Sequence, residues 1–263
     1  MAYRILVTND DGIHAPGLAV AESIARALTD DVWVVAPETE QSGASHSLTL
    51  TLPLRLRQIG EKRFALAGTP TDCVMMGVAE LMKDTPPTLV LSGVNRGSNI
   101  ADDVTYSGTI AGAMEGTALG IPSIAMSQAY GFEAGDGLRW QCAEVHGPRV
   151  VKLLLEAGWP AETLININFP DCEPGDVAGT DVTEQGKRDL QTAVLDKRVD
   201  MRGNPYYWIG FKRVRSDPRP GTDLRAIYDK RISITPLHLN LTEHRVVEAL
   251  RKALAPVNKL LAP

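Results

Sequence analysis

The chain has 263 residues, 28.4 kDa, 44% hydrophobic and 22% charged residues, and a net charge of −5. This suits one α/β unit of ordinary size and excludes disorder over most of the length. No apolar run approaches the ~20 residues that cross a bilayer, and Ile5-Leu6-Val7 is too short for the core of a signal peptide.

Short runs rich in Val, Ile and Leu alternate with helix-like stretches. Strands are expected at Ile5–Thr8, Val32–Val35, Leu89–Ser92, Ser123–Met126 and Leu164–Asn168. Helices are expected near Leu18–Leu28, Asp72–Met82, Ile110–Leu119, Trp140–Ala157 and Thr242–Leu254. Such alternation implies a doubly wound, mostly parallel sheet, of Rossmann-like α/β class, over residues 1–178. Residues 48–67 alternate as a hairpin or sheet extension. Residues 179–241 are polar and basic, broken at Gly203-Asn204-Pro205 and Asp217–Gly221, with strand-like Tyr206–Gly210 and Ile232–Ile234; they read as an extended β arm leaning on the body or on another subunit. A terminal helix is expected over 242–263.

Charge is uneven along this plan. Residues 1–178 hold 11 Lys and Arg against 22 Asp and Glu, whereas 179–263 hold 16 against 10. Nucleic acid is a poor partner for the acidic part, and nothing suggests a membrane. The basic part can steer a small anion, face water or meet a second subunit. Three widely spaced cysteines, Cys73, Cys142 and Cys172, argue against a disulfide scaffold and a zinc ribbon, and for a reducing, cytoplasmic setting.

The loops after the strands carry the chemistry. Thr8-Asn9-Asp10-Asp11-Gly12 follows the first strand, at the sheet edge where open α/β folds bind ligands. Adjacent carboxylates repel unless protons or a cation compensate, so Asp10 and Asp11 read either as a hard-cation site or as an exposed Asx turn. Gln41-Ser42-Gly43-Ala44-Ser45-His46-Ser47 opens onto the same edge; Ser42 is a metal ligand or a turn hydroxyl, and a lone His46 is structural or substrate-adjacent rather than zinc-binding. Ser92–Asn99 brings oxygens and glycines, including Asn95. Asp102-Asp103 and Tyr106-Ser107-Gly108-Thr109 then precede a helix, a phosphate cradle or simple N-capping. Metal-assisted phosphate chemistry is the reading that uses all of these. There is no G-x-G-x-x-G after the first strand, no G-x-x-x-x-G-K-[ST] and no G-x-S-x-G, which argues against a dinucleotide fold, a P-loop and an α/β hydrolase.

Asn9-Asp10-Asp11-Gly12, Gln41-Ser42-Gly43, Gly68–Val74, Ser92–Gly97, Tyr106–Thr109 and Ser233–Leu237 occur in an order that resembles the SurE family of survival-protein nucleotidases, over about residues 4–242. The resemblance implies a metal-dependent phosphomonoesterase, a 5′-nucleotidase that also accepts 3′-monophosphates, using one Mg²⁺ or Mn²⁺ per subunit. By position, Asp10, Asp11, Ser42 and Asn95 would hold the cation. Asn9, Gly43, Asn95, Ser107, Gly108 and Thr109 would contact phosphate. Asp10 would serve catalysis, and Asp103 and His238 would handle protons. A homodimer or homotetramer through the C-terminal arm is expected. Pro87-Thr88 and Asn240 depart from the family pattern, away from the cation set. The alternatives are a non-catalytic nucleotide sensor and a metal-dependent sugar-nucleotide transferase.

Overall fold

The computed structural model describes residues 3–130, 139–188, 192–212 and 217–261. Strand β1 (Ile5–Thr8) is buried throughout, as a β-branched run between two helical layers must be. Ile5 and Val7 face one layer and Leu6 the other, following the two-residue strand period. Helix α1 (Pro16–Arg26) starts on a proline, whose missing N–H costs nothing there, and buries Leu18, Ala21 and Ile24. The sheet continues with β2 (Val32–Pro37) and the antiparallel pair β3 (Leu56–Gly60) and β4 (Arg63–Leu66), so the extension expected within 48–67 forms over its second half.

Helix α2 (Pro70–Met76) begins two residues before the expected Asp72. Thr69 caps it: its hydroxyl accepts from Asp72 N–H, while the Asp72 carboxylate accepts from Thr69 N–H. A π turn over Gly77–Leu81 then replaces the rest of the expected helix. Next come β5 (Leu89–Arg96), α3 (Gly108–Ala118), β6 (Ser123–Gln128), α4 (Gln141–Ala157) and β7 (Thr163–Phe169). Beyond lie β8 (Gly179–Val182), the hairpin β9 (Thr192–Val199) and β10 (Pro205–Lys212), α5 (Asp223–Tyr228), β11 (Arg231–His238) and α6 (His244–Leu261).

Nine strands form one sheet in the order β3-β4-β2-β1-β5-β6-β7-β11-β8, parallel except at β3–β4 and β7–β11. Helices α1 and α4 cover one face with Leu18, Ile24, Cys142 and Val151; α2 and α3 cover the other with Cys73, Val74, Ile110 and Ala113. The expected arm, 179–241, is divided by this arrangement. β8 and β11 complete the main sheet, because β11 pairs with both β7 and β8, and only β9–β10 forms a separate two-stranded ribbon. Tyr207, Trp208 and Ile209 on that ribbon are exposed, as are Val246, Leu250 and Leu254 on α6. No described helix is long and apolar enough to cross a membrane.

The chain passes from β1 to β2 on one side of the sheet and later returns to β5 on the other. The crevice beyond the carboxyl ends of β1 and β5 is therefore the topological switch point, the general ligand position of such sheets.

Candidate active site

Three loops meet at that crevice, and hydrogen bonds between them hold it together. Gly12, at φ +103°, turns the chain directly after the two acids, a conformation open to glycine and strained for other residues. Asn9 fixes the same turn, its Nδ2 donating to the Gly12 carbonyl at 3.0 Å. The Asp10 carbonyl accepts from Gln41 N–H at 2.8 Å, tying in the loop after β2. The Asp11 carboxylate accepts from Arg96 N–H at 3.0 Å, tying in the end of β5 beside Asn95. The Thr109 hydroxyl donates to the Asp10 carboxylate from the first turn of α3.

Asp10 is only 4% exposed. Burial pushes its carboxyl up to about 6, with the Thr109 hydroxyl opposing and the Asp11 charge adding to the rise. Asp11 is also raised, first by burial, against the Arg96 N–H. Glu40 lies close enough for its charge to raise both, and its carboxylate accepts from the Ser42 hydroxyl at 2.8 Å. Among the described residues there is no cluster of three or more His, Cys, Asp and Glu of metal-binding geometry. A cation here would therefore rest on two carboxylates completed by neutral oxygens. The residues fit one: Asp10 is buried with the half-buried Asp11 next to it, and Asn9 Oδ1 is a buried acceptor with no protein partner. Asn95 Nδ2 donates to the Gly97 carbonyl at 2.8 Å, an arrangement that leaves its Oδ1 as the donor atom for a metal.

The opposite wall is the start of α3. Ser107 is its N-cap, accepting from Ile110 N–H at 3.0 Å, so the capping reading of this hydroxyl holds. A Cβ on Gly108 would lie 2.8 Å from Asp10 Cβ and 3.0 Å from its Oδ2, and the missing side chain is what lets the helix end meet the acid. The Thr109 hydroxyl is committed to Asp10 and thus orients it; an anion would meet the first-turn N–H groups instead. Gly43, at φ +77°, has open space around its Cα. The His46 ring pairs with Glu115 on α3 at 2.9 Å, a structural role.

Two expected proton-handling groups are not drawn into this cluster. Asp103 is ion-paired with Arg188 at 2.6 Å. His238 sits opposite Thr163, the first residue of β7, because β11 runs antiparallel to β7. Within its own chain it is therefore at the sheet edge opposite the crevice, about 20 Å along a seven-residue strand, and its Nδ1 accepts from Asn240 N–H. Sequence reasoning missed Glu40, whose two-residue spacing from Ser42 was the available signal.

The fold and the crevice define an α/β protein with an acidic rim at its switch point. Residues 5–192 match the family model described as survival protein SurE, and the chain belongs to that family. It is 61% identical over 253 residues to the 5′-nucleotidase SurE of Parvibaculum lavamentivorans, covering 96% of this chain and 91% of that protein. With the 5′-nucleotidase SurE of Methylorubrum extorquens (strain PA1) it shares 65% identity over 240 residues, 91% of this chain and 94% of the other. The crystal structure of the SurE protein from Aquifex aeolicus matches with a TM-score of 0.81 at 38% identity, over 95% and 99% of the two chains.

Proposed function

We infer that the chain is a 5′-nucleotidase, a phosphoric monoester hydrolase that releases inorganic phosphate from nucleoside 5′-monophosphates. The observation that carries this is the pair Asp10–Asp11, the first buried and the second half-buried beside it, with Asp10 set against the first turn of α3. The high identity to nucleotidases over nearly the full chain supports the same reading.

We further propose one Mg²⁺ or Mn²⁺ per subunit, held by Asp10, Asp11, Ser42 and Asn95. Bound there, a divalent ion supplies Lewis acidity toward a phosphate oxygen and lowers the pKa of a coordinated water. The chain does the rest. Thr109 holds Asp10 in orientation through its hydroxyl, and Arg96 N–H does the same for Asp11. The N–H groups at Gly108 and Thr109, in the first turn of α3, would donate to the charge that builds on the phosphoryl oxygens. Gly43 leaves room at the rim, and the Asn9 bond to Gly12 keeps the turn in shape while its Oδ1 remains available. The Asp10 carboxylate accepts from Thr109 and would also hold the cation, so water rather than Asp10 is assigned as the nucleophile. Because His238 lies at the far edge in its own chain, protonation of the leaving oxygen is assigned to water.

Hydrolysis of 3′-monophosphates, a cytoplasmic setting and assembly into a dimer or tetramer through the β9–β10 ribbon complete the proposal. The exposed Tyr207, Trp208 and Ile209 of the ribbon support assembly. Phosphate release across all nucleoside 5′- and 3′-monophosphates, with Mn²⁺, with Mg²⁺ and with chelator, tests the reading. Turnover only with a divalent ion is expected. Tight AMP binding without phosphate release would favour a sensor, and turnover of sugar-nucleotides alone a transferase.

A further inference from the structure

Between the end of β5 and the start of α3 the chain makes a turn that side chains from distant parts of the sequence hold in place. Ala101 stands at φ +53°, in the left-handed region that a residue with a Cβ adopts at a steric cost. Its N–H donates to Asp223 Oδ2 at 2.8 Å, and its carbonyl accepts from Gln185 Nε2 at 2.9 Å. Two residues earlier the Asn99 N–H donates to Asn168 Oδ1 at 2.8 Å, and the Asn99 carbonyl accepts from Asn166 and Asn168 at 2.8 and 3.1 Å. Asp223 is fully buried, and its other oxygen accepts from the N–H groups of Gly186 and Leu224. All three of its bonds are thus to backbone.

The turn so held, Ala101–Thr105, links the strand end, the neighbouring loop and the helix start that form the rim. It follows the strand end that carries Asn95. Its Thr105 carbonyl accepts from the Ser45 hydroxyl at 2.8 Å, in the loop of Ser42 and Gly43. Two residues later Ser107 caps α3 and starts the helix whose Gly108 and Thr109 meet Asp10. A residue released from positive φ relaxes to negative φ and redirects the chain that follows it.

We propose that Asp223 and Gln185 are positioning residues for the reaction: by holding Ala101 left-handed, they set where α3 begins and so where the phosphate cradle stands against Asp10. The proposal rests on the nucleotidase reading above. A role confined to stability would lower the melting temperature and leave turnover intact. Positioning lowers kcat while the fold persists, and it can be rescued at Ala101 itself, because glycine adopts positive φ without a Cβ penalty.

The test measures kcat and KM for AMP with Mn²⁺, alongside thermal melts, for the wild type, Gln185→Ala, Asp223→Asn and Asp223→Asn/Ala101→Gly. In Asp223→Asn the amide keeps its oxygen on Gly186 and Leu224 and turns its NH₂ toward the Ala101 N–H, so the bond to Ala101 is lost. A kcat loss of about tenfold or more is expected in Asp223→Asn and a smaller loss in Gln185→Ala, with KM less affected and cooperative melting retained. Ala101→Gly should return most of the lost kcat to Asp223→Asn. Wild-type kcat in folded Asp223→Asn, or a loss that Ala101→Gly fails to recover, would overturn the proposal. Should Asp223→Asn not fold, Gln185→Ala decides alone, and unchanged kcat there overturns it. A wild-type protein that releases no phosphate would instead overturn the nucleotidase reading.

Discussion

Gly108→Ala is a single-methyl perturbation of the crevice whose size can be worked out in advance. The added Cβ would lie 2.8 Å from Asp10 Cβ, against about 3.4 Å for the near limit of ordinary contact. Helix and acid must therefore separate by roughly 0.6–1 Å, a range in which misplaced reacting groups cost on the order of 10²-fold in rate. Asp10 has little freedom to turn aside, since its carbonyl is bonded to Gln41 and its carboxylate to Thr109. The backbone at Gly108 is not left-handed, so alanine fits the main chain and gains up to ~1 kcal/mol from helix propensity and reduced unfolded-state entropy. Overpacking costs ~1–3 kcal/mol, leaving a net destabilisation of at most ~3 kcal/mol. Phosphate release from AMP at saturating Mn²⁺, with a thermal melt on the same preparation, separates the two effects. A kcat loss of about 10²-fold in a folded protein is expected. Turnover within about threefold of wild type would refute the contact between α3 and Asp10 as the catalytic geometry.

Other outcomes are equally definite. Asp10→Asn and Asp11→Asn should each lower kcat by at least ~10²-fold with the fold intact, read by phosphate release and circular dichroism. Mn²⁺ at about 100 times its Kd should stabilise the wild type by ~2.7 kcal/mol, roughly 5–10 °C in Tm, and the doubly substituted protein by almost nothing. Burial pushes the Cys142 thiol up to about 12, so iodoacetamide at pH 7.5 should leave it unmodified in the native protein and label it after unfolding. Lys62 and Arg4 hold the Asp31 carboxyl below its usual 3.8, so its contribution is present above pH 3.8 and is lost as pH falls through the folded value. Denaturant melts should accordingly show Asp31→Asn less stable by up to ~1 kcal/mol at pH 7, a gap that narrows as the pH is taken down below the usual carboxylate value.

Much of the framework was legible because it is local. The β-branched runs at Ile5–Thr8 and Leu89–Ser92 are strands, and Gly12 marks the turn after the acids. The start of α2 was placed two residues late, because Thr69 and Asp72 satisfy each other and begin the helix earlier than hydrophobic spacing alone suggests. The loops of Asp10, Ser42, Asn95 and Thr109 were read as sharing one edge, since parallel strands deliver their following loops to the same side. Within that set, Ser107 and Thr109 proved to spend their hydroxyls on a cap and on Asp10, which side-chain chemistry alone could not apportion.

What the order of residues determined by itself was therefore the strand and helix periods, the turn after Asp11, and the recurrence of oxygen-rich loops in a familiar sequence. Those depend on side chains within a few positions of one another. The tertiary structure alone decided that β11 runs backward and carries His238 to the far edge, and that Thr109 reaches Asp10 across 99 residues. It alone brought Asp223 to Ala101 across 122 residues. Strand direction and long-range hydrogen bonds follow from how layers pack and which buried polar groups find partners, and no local period records that choice.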